Sequence, residues 1–270
     1  YAAGRTPNPC LRCNEKIKFA AVLERGIALG FDAIATGHYA VLRQDAGRTQ
    51  LWRSAEAAKD QSYVLGVLDQ RQLSRCLFPL GLDTAKADVR AEAAARGLYL
   101  AKKPDSHDIC FIPSGDTAGF LNRHLGTTSG EFVDTAGEVV GAHVGSHQFT
   151  VGQRRGLHLG VPASDGQPRY VLGIEPAGNR VVVGPREALA IRSIDGIRPT
   201  WTEEPVLHTW RGLVQLRAHG EPLPATIEGR PDGVRVELDA PAHGIAPGQA
   251  VVCYDGDRVV GSATIAATER

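Results

Sequence analysis

Phe31-Asp32-Ala33-Ile34-Ala35-Thr36-Gly37-His38-Tyr39 reads as a short apolar strand over residues 31–35 that runs out into a polar turn bearing a glycine. Ligands of open α/β sheets bind at the carboxyl ends of strands, and a glycine there lets backbone approach a ligand closely. Upstream, residues 20–30 have a helical pattern that stops at Gly30. Downstream, residues 41–43 and 50–53 flank the turn signal Gln44-Asp45-Ala46-Gly47-Arg48, which predicts a hairpin. Lys59-Asp60-Gln61-Ser62-Tyr63 then leads into the apolar run 64–68, and residues 70–76 look helical. A helix is predicted over 84–96, capped by Thr84 and ended by Gly97, followed by a strand over 98–102. This alternation across residues 15–112 predicts an α/β unit with a mostly parallel sheet.

Beyond about residue 115 the pattern changes. One short helix is expected over 117–124, then hairpins pairing 131–133 with 138–140 and 170–174 with 180–183. Between them lies a glycine-bounded basic loop, Thr150-Val151-Gly152-Gln153-Arg154-Arg155-Gly156. From about 190 only strand patterns appear, at 212–218, 223–228, 234–238, 249–254 and 258–265, separated by Gly/Pro/Asp turns, which predicts a small antiparallel barrel. The expected organisation is therefore 1–115, 116–188 and 189–270.

The 270 residues are 43% hydrophobic and 22% charged, which excludes a disordered or collagen-like chain. No apolar run is long enough to span a bilayer and no signal peptide opens the chain, so it reads as soluble and cytoplasmic, with no membrane partner. Net charge is zero, but residues 1–115 hold 16 Lys/Arg against 12 Asp/Glu, and residues 116–270 hold 14 against 18. Contact with nucleic acid then rests on local patches. No Met occurs and the chain starts at Tyr1, so it reads as a fragment of a longer product.

The cysteines are Cys10, Cys13, Cys76, Cys110 and Cys253, an odd number that does not suit a disulfide framework. Cys10-Leu11-Arg12-Cys13 is a C-x-x-C, a pair that binds metal, makes a redox disulfide or arises by chance. Pro7 and Pro9 stiffen the segment before it, and a helical pattern opens at Asn14, so Cys13 is expected near a helix N-terminus, where a thiolate is favoured. Cys110, in Ile109-Cys110-Phe111-Ile112, reads either as a reactive thiol beside Lys102 and Lys103 or as a buried strand residue. Cys76 and Cys253 read as core packing.

Gly4-Arg5-Thr6-Pro7-Asn8-Pro9-Cys10-Leu11-Arg12-Cys13-Asn14, Ala35-Thr36-Gly37-His38-Tyr39, Lys59-Asp60-Gln61-Ser62-Tyr63, Asp105-Ser106-His107-Asp108-Ile109-Cys110-Phe111-Ile112 and Gly152-Gln153-Arg154-Arg155-Gly156-Leu157 together resemble, in order, the motifs of the bacterial tRNA-specific 2-thiouridylases. The resemblance implies a PP-loop ATPase-type α/β domain (adenine nucleotide alpha hydrolase-like) with a parallel sheet, incomplete at its N-terminus, then a small mostly-β central domain with tRNA contacts and a C-terminal antiparallel β-barrel. It implies ATP-dependent transfer of sulfur to C2 of the wobble uridine of tRNAs for Lys, Glu and Gln, with Mg as the ATP counter-ion. A cysteine desulfurase or a relay protein would deliver the sulfur. By position, Cys110 matches the persulfide carrier and Cys13 the nucleophile, which can form a disulfide with Cys110. Gly37 matches an ATP contact. Asn8, Pro9 and Cys10 match the segment around the target base, and His38, Lys59, Asp60, Gln61, Arg217 and Gln249 match tRNA contacts.

Two departures from the family pattern stand out. Many members carry Asp where this chain has Cys10. Cys10, Cys13 and Cys110 are thus candidate ligands of a [4Fe–4S] cluster or a zinc ion. The glycine-rich loop that grips ATP phosphates in the family is not found in these residues and is expected upstream of Tyr1. The expectation is then that this chain by itself does not adenylate tRNA. The competing reading is a tRNA-binding fragment without catalysis.

Overall fold

A computed structural model describes residues 1–81, 85–102, 109–112, 114–161 and 163–270. The expected Thr84 cap and the Asp105-Ser106-His107-Asp108 part of the fourth motif lie outside the described residues.

The first helix starts earlier than its apolar periodicity predicts. Asn8 is extended (φ −87°, ψ 113°), and its Oδ1 accepts the backbone N–H groups of Cys10 at 2.9 Å and Leu11 at 3.4 Å. Pro9, next in line, has no N–H to leave unpaired. The α-helix Pro9–Cys13 (α1) therefore forms at once and continues as a π-helix, Asn14–Val22, and a second α-helix, Leu23–Ala28 (α2). Cys10 lies in the first turn and Cys13 at the end of α1, so the helix N-terminus acts on Cys10 more than on the expected Cys13.

Strand β1 is only Ile34–Ala35. Strands β2 (Val41–Asp45) and β3 (Arg48–Trp52) form the predicted hairpin around Ala46 and Gly47, both at positive φ. Helices α3 (Ser62–Leu65) and α4 (Gln70–Leu73) follow. Strand β4 (Cys76–Leu77) then pairs parallel with β1. Helix α5 spans Lys86–Ala95. The strand expected over 98–102 is instead a 3-10 turn, Tyr99–Lys102. Gly97 (φ +69°) reverses the chain there, and Leu98 and Tyr99 face solvent with no sheet to join. Among the described residues the parallel sheet is thus the β1–β4 pair, and the hairpin goes elsewhere.

In the middle of the chain Asp116 caps α6 (Thr117–Leu125) through Gly119 N–H. The hairpins β5 (Gly130–Val133) with β6 (Val139–His143), and β7 (Tyr170–Glu175) with β8 (Arg180–Gly184), join by a parallel β5–β8 pairing into one four-stranded sheet. Phe132, Phe149, Val171, Val181 and Val183 fill its core.

Strands β9 (Ala190–Trp201), β10 (Thr209–Gln215), β11 (Leu223–Gly229), β12 (Gly233–His243), β13 (Ala250–Asp255) and β14 (Arg258–Glu269) run antiparallel in the order β13-β10-β11-β12-β9-β14, and β13 closes on β14. This is the predicted barrel. The β2–β3 hairpin extends its sheet through Trp52 opposite Arg258. One core lies inside the barrel. A second packs Leu11, Phe19, Leu51 and Tyr63 with Val252, Tyr254 and Val259, so residues from both ends of the chain share one apolar interior. Cys76 and Cys253 are buried within these cores as expected, and burial pushes both thiols up to about 12.

Candidate active site

Cys10 and Cys110 are exposed and Cys13 is partly so. The alternative of a buried strand cysteine therefore does not hold for Cys110. All five thiols are free, and the Cys13–Cys110 disulfide that the resemblance implies is absent from the structure. Burial raises the Cys10 thiol above its ordinary value, and the neighbouring Cys110 and Cys13 thiols raise it further, while Lys18 pulls it down. Two cysteines a hundred positions apart in sequence, Cys10 and Cys110, thus sit within electrostatic range of one another, and Cys13 also acts on Cys10.

Lys18 also faces His38. Its Nζ stands 3.5 Å from His38 Nε2, and Thr36 Oγ1 stands 2.7 Å from Nδ1. An ammonium only donates, so Nε2 accepts and Nδ1–H donates to the threonine. The ring is packed against Phe19 and Phe78 at 5.8 and 5.9 Å between centroids. Burial, with Lys18 adding to it, lowers this histidine to about 4. His38 is therefore a neutral imidazole at ordinary pH and presents only 7% of its surface. Sequence reasoning missed Lys18, because a lysine in a helical run reads as a solvated face. Lys18 lies five residues after Cys13 in the π-helix Asn14–Val22, a placement that the sequence pattern does not announce.

Gly37 follows β1. A methyl group on it would meet only Leu80 Cδ1, at 3.6 Å, an ordinary contact. Among the described residues no atom demands a glycine there, and its backbone is open. Across from it, Gln61 Oε1 accepts Tyr39 N–H at 3.0 Å and Gln61 N–H donates to Tyr39 O at 2.8 Å, tying the Lys59-Asp60-Gln61 segment to the Gly37-His38 turn.

Asp60 faces inward. Its Oδ1 accepts Ser54 N–H (2.9 Å) and Ser62 N–H (3.1 Å), and its Oδ2 accepts Ser62 Oγ–H (2.7 Å). Ser62 Oγ lies 3.2 Å from Tyr254 Oη, which lies 3.3 Å from Gln215 Oε1. Gln215 Nε2 donates to the carbonyls of Arg217 (2.9 Å) and Ala218 (3.2 Å). Arg53 stacks 4.1 Å over the Tyr254 ring and donates to Gln215 Oε1 at 3.1 Å. A buried polar chain thus runs from Asp60 to Arg217. The Arg217 guanidinium donates to the carbonyls of Gly244 and His243.

Gln249 Nε2 donates to Thr6 O at 2.8 Å, and Thr6 N–H donates to Pro247 O at 2.9 Å. Gly248 (φ +93°) lets that barrel loop lie against the chain, since a methyl group there would stand 3.0 Å from Thr6 N. Thr6 Oγ1 reaches Thr150 Oγ1 at 3.2 Å. The segment leading to Asn8 is therefore anchored to the barrel and, through Thr150, to the loop between β6 and β7.

The structure does not show the expected cluster or zinc site at Cys10, Cys13 and Cys110. Among the described residues no group of three or more His, Cys, Asp and Glu side chains is placed to hold a metal ion. Among the same residues no helix is long and apolar enough to cross a membrane.

Three family models match the chain. They are the tRNA methyl transferase HUP domain at residues 1–114, the tRNA methyl transferase PRC-barrel domain at 118–185, and the aminomethyltransferase beta-barrel domain at 192–265. The tRNA-specific 2-thiouridylase MnmA of Cutibacterium acnes is 61% identical over 270 residues, covering the whole chain and 74% of that relative. The proteins of the same name from Acidothermus cellulolyticus and Streptomyces avermitilis are 60% and 57% identical, with 74% and 72% of their lengths covered. On this likeness, over its entire length, the chain belongs to the tRNA-specific 2-thiouridylase family.

Proposed function

We propose that the full-length protein carrying this chain transfers sulfur to C2 of the wobble uridine of tRNA in the cytoplasm, with residues 1–115 in the nucleotide-binding part, 116–188 as the central tRNA-contacting part and 189–270 as the barrel. What supports this reading is that Cys10, Cys13 and Cys110 are at least partly accessible and that Cys110 and Cys13 both act on the Cys10 thiol, while Cys76 and Cys253 are sealed in cores.

ATP supplies the AMP group that turns the C2 oxygen into a leaving group. Gly37 leaves its backbone open for the nucleotide, and Asn8, Pro9 and Cys10 border the target base, which must be splayed out of the anticodon loop to be reached. Cys110 carries a persulfide received from a cysteine desulfurase or a relay protein. The Cys13 thiolate attacks Cys110 Sγ. The persulfide S–S bond breaks, its terminal sulfur leaves as hydrosulfide to attack C2, and a Cys13–Cys110 disulfide forms. An external dithiol then reduces that disulfide. Lys18 supports the anionic sulfur, and neutral His38 keeps the Lys18 ammonium oriented towards the cysteines. Lys59, Gln61, Arg217 and Gln249 border the path of the RNA, and Asp60 holds that border in place. The tRNAs for Lys, Glu and Gln are the proposed substrates.

The test is nucleoside analysis of tRNA from cells that rely on the full-length protein with Cys13→Ser or Cys110→Ser. Both are expected to abolish 2-thiouridine. Wild-type levels with Cys110→Ser would favour the binding-only reading and sink this one.

A further inference from the structure

Helix α1 and the barrel face one another across a cleft of about 440 Å³ that holds none of the cysteines. On the helix side stand Arg12 and Lys16, both bonded to Glu15 between them. On the barrel side stand Arg198, Ser262 and Thr264. Three cations thus face one carboxylate.

Arg198 is there by a specific device. The β9–β14 register runs Ser262 opposite Thr200 but Thr264 opposite Ile197, so residues 198 and 199 oppose a single residue of β14. Such a bulge re-aims a side chain, and bulges gather beside functional sites. Arg198 also sits at φ +54°, a left-handed conformation that non-glycine residues avoid and that marks functional positions. Its guanidinium makes one long contact, to Thr264 Oγ1 at 3.4 Å, and has no carboxylate partner among the described residues. Several other barrel arginines are paired, Arg211 with Asp239, Arg230 with Glu228 and Arg235 with Asp195, while Arg217 is taken up by the carbonyls of His243 and Gly244. An unpaired guanidinium, opposed by two cations and flanked by hydroxyls, suits a phosphodiester. Asn8 and Gln249 line the same cleft, which makes it continuous with the proposed RNA path.

We propose that this cleft grips the sugar–phosphate backbone of the RNA substrate, with a phosphodiester held by Arg198 across from Arg12 and Lys16. The inference rests on the tRNA reading above and adds a site to it. An RNA strand seated there bridges α1 and β9 and is held by its backbone rather than by a base.

Arg198→Gly in the full-length protein tests it, because glycine is at ease at this φ and the fold should be no less stable by thermal unfolding. Binding of tRNA is measured across a salt series. The expected result is an affinity loss of roughly tenfold at low salt. The slope of log affinity against log salt should be shallower by about 0.7. Arg198→Lys should keep most of the slope. An unchanged affinity and slope for Arg198→Gly would overturn the proposal. So would unchanged tRNA binding combined with slower sulfur uptake from a protein donor, which would assign the cleft to that partner. Failure of the parent protein to bind tRNA would instead overturn the reading beneath it.

Discussion

His38 is the residue whose chemistry is most displaced by its surroundings. In the folded protein it takes up a proton only near pH 4, against 6.5 when unfolded. The unfolded chain therefore protonates first as the pH drops. The associated stability is fully present above pH 6.5 and drains away as the pH falls through the interval down to 4. Over that interval the parent should lose at most about 3 kcal/mol through this group. His38→Asn should be less stable at neutral pH, yet show a smaller gap to the parent at about pH 4.5 than at about pH 7. Urea unfolding of both proteins at the two pH values checks this, and a pH-independent gap would refute it. The residues around His38 were unevenly legible. Gly37 and His38 stand next to each other in a strand-end turn, and their position alone suggested a ligand. Lys18 reaches them only through the fold of a helix, and nothing in its neighbours distinguishes it from a solvated lysine.

At the scale of an element, backbone chemistry decides. Asn8 caps α1 with its own side chain, so Asn8→Ala should cost about 1 kcal/mol and Asn8→Ser much less. Faster hydrogen exchange at the amides of Cys10 and Leu11 in the alanine variant, and not in the serine variant, is the expected signature. Gly81 makes the opposite kind of point. A methyl group there would fall 1.7 Å from the carbonyl oxygen of Ala40, so the chain after β4 lies flat against the stretch that carries Gly37 and His38. Gly81→Ala should destabilise the protein by roughly 1–3 kcal/mol in chemical denaturation. Helix α6 and the hairpins were readable because asparagine, aspartate and glycine carry their conformational preferences with them, whereas the helix start at Pro9 was missed. Residues 98–102 were misread for the converse reason. An apolar triplet looks the same in an exposed turn as in a strand until its neighbours are known. Strand β9 went unnamed because its bulge, with Arg198 and Pro199, breaks the alternation that announces a strand.

At the scale of the whole molecule, the buried chain from Asp60 through Ser62, Tyr254 and Gln215 to the Arg217 carbonyl connects the proposed RNA-contacting segments of the first and last parts. Gln215→Leu removes the donor to two carbonyls and the acceptor for Arg53 and Tyr254, and should cost roughly 2–4 kcal/mol. It should also raise KM for tRNA well beyond any change in KM for ATP. Steady-state kinetics with each substrate varied in turn separate that outcome from a general loss of folded enzyme, which lowers kcat alone. No single-sequence pattern could show this chain, because its members lie up to 194 positions apart (Asp60 to Tyr254) and each looks like an ordinary polar or core residue.

The interior shared by Leu51, Tyr63, Val252 and Tyr254 also bears on how such a protein can be rebuilt. A barrel lifted out by cutting the sequence near residue 189 would leave half of an oily seam on each piece, and both pieces would tend to clump. The portable module is a discontinuous one, the barrel together with the β2–β3 hairpin and α3. Grafting the RNA-handling end onto another nucleotide-binding enzyme would require that internal stretch to travel with it.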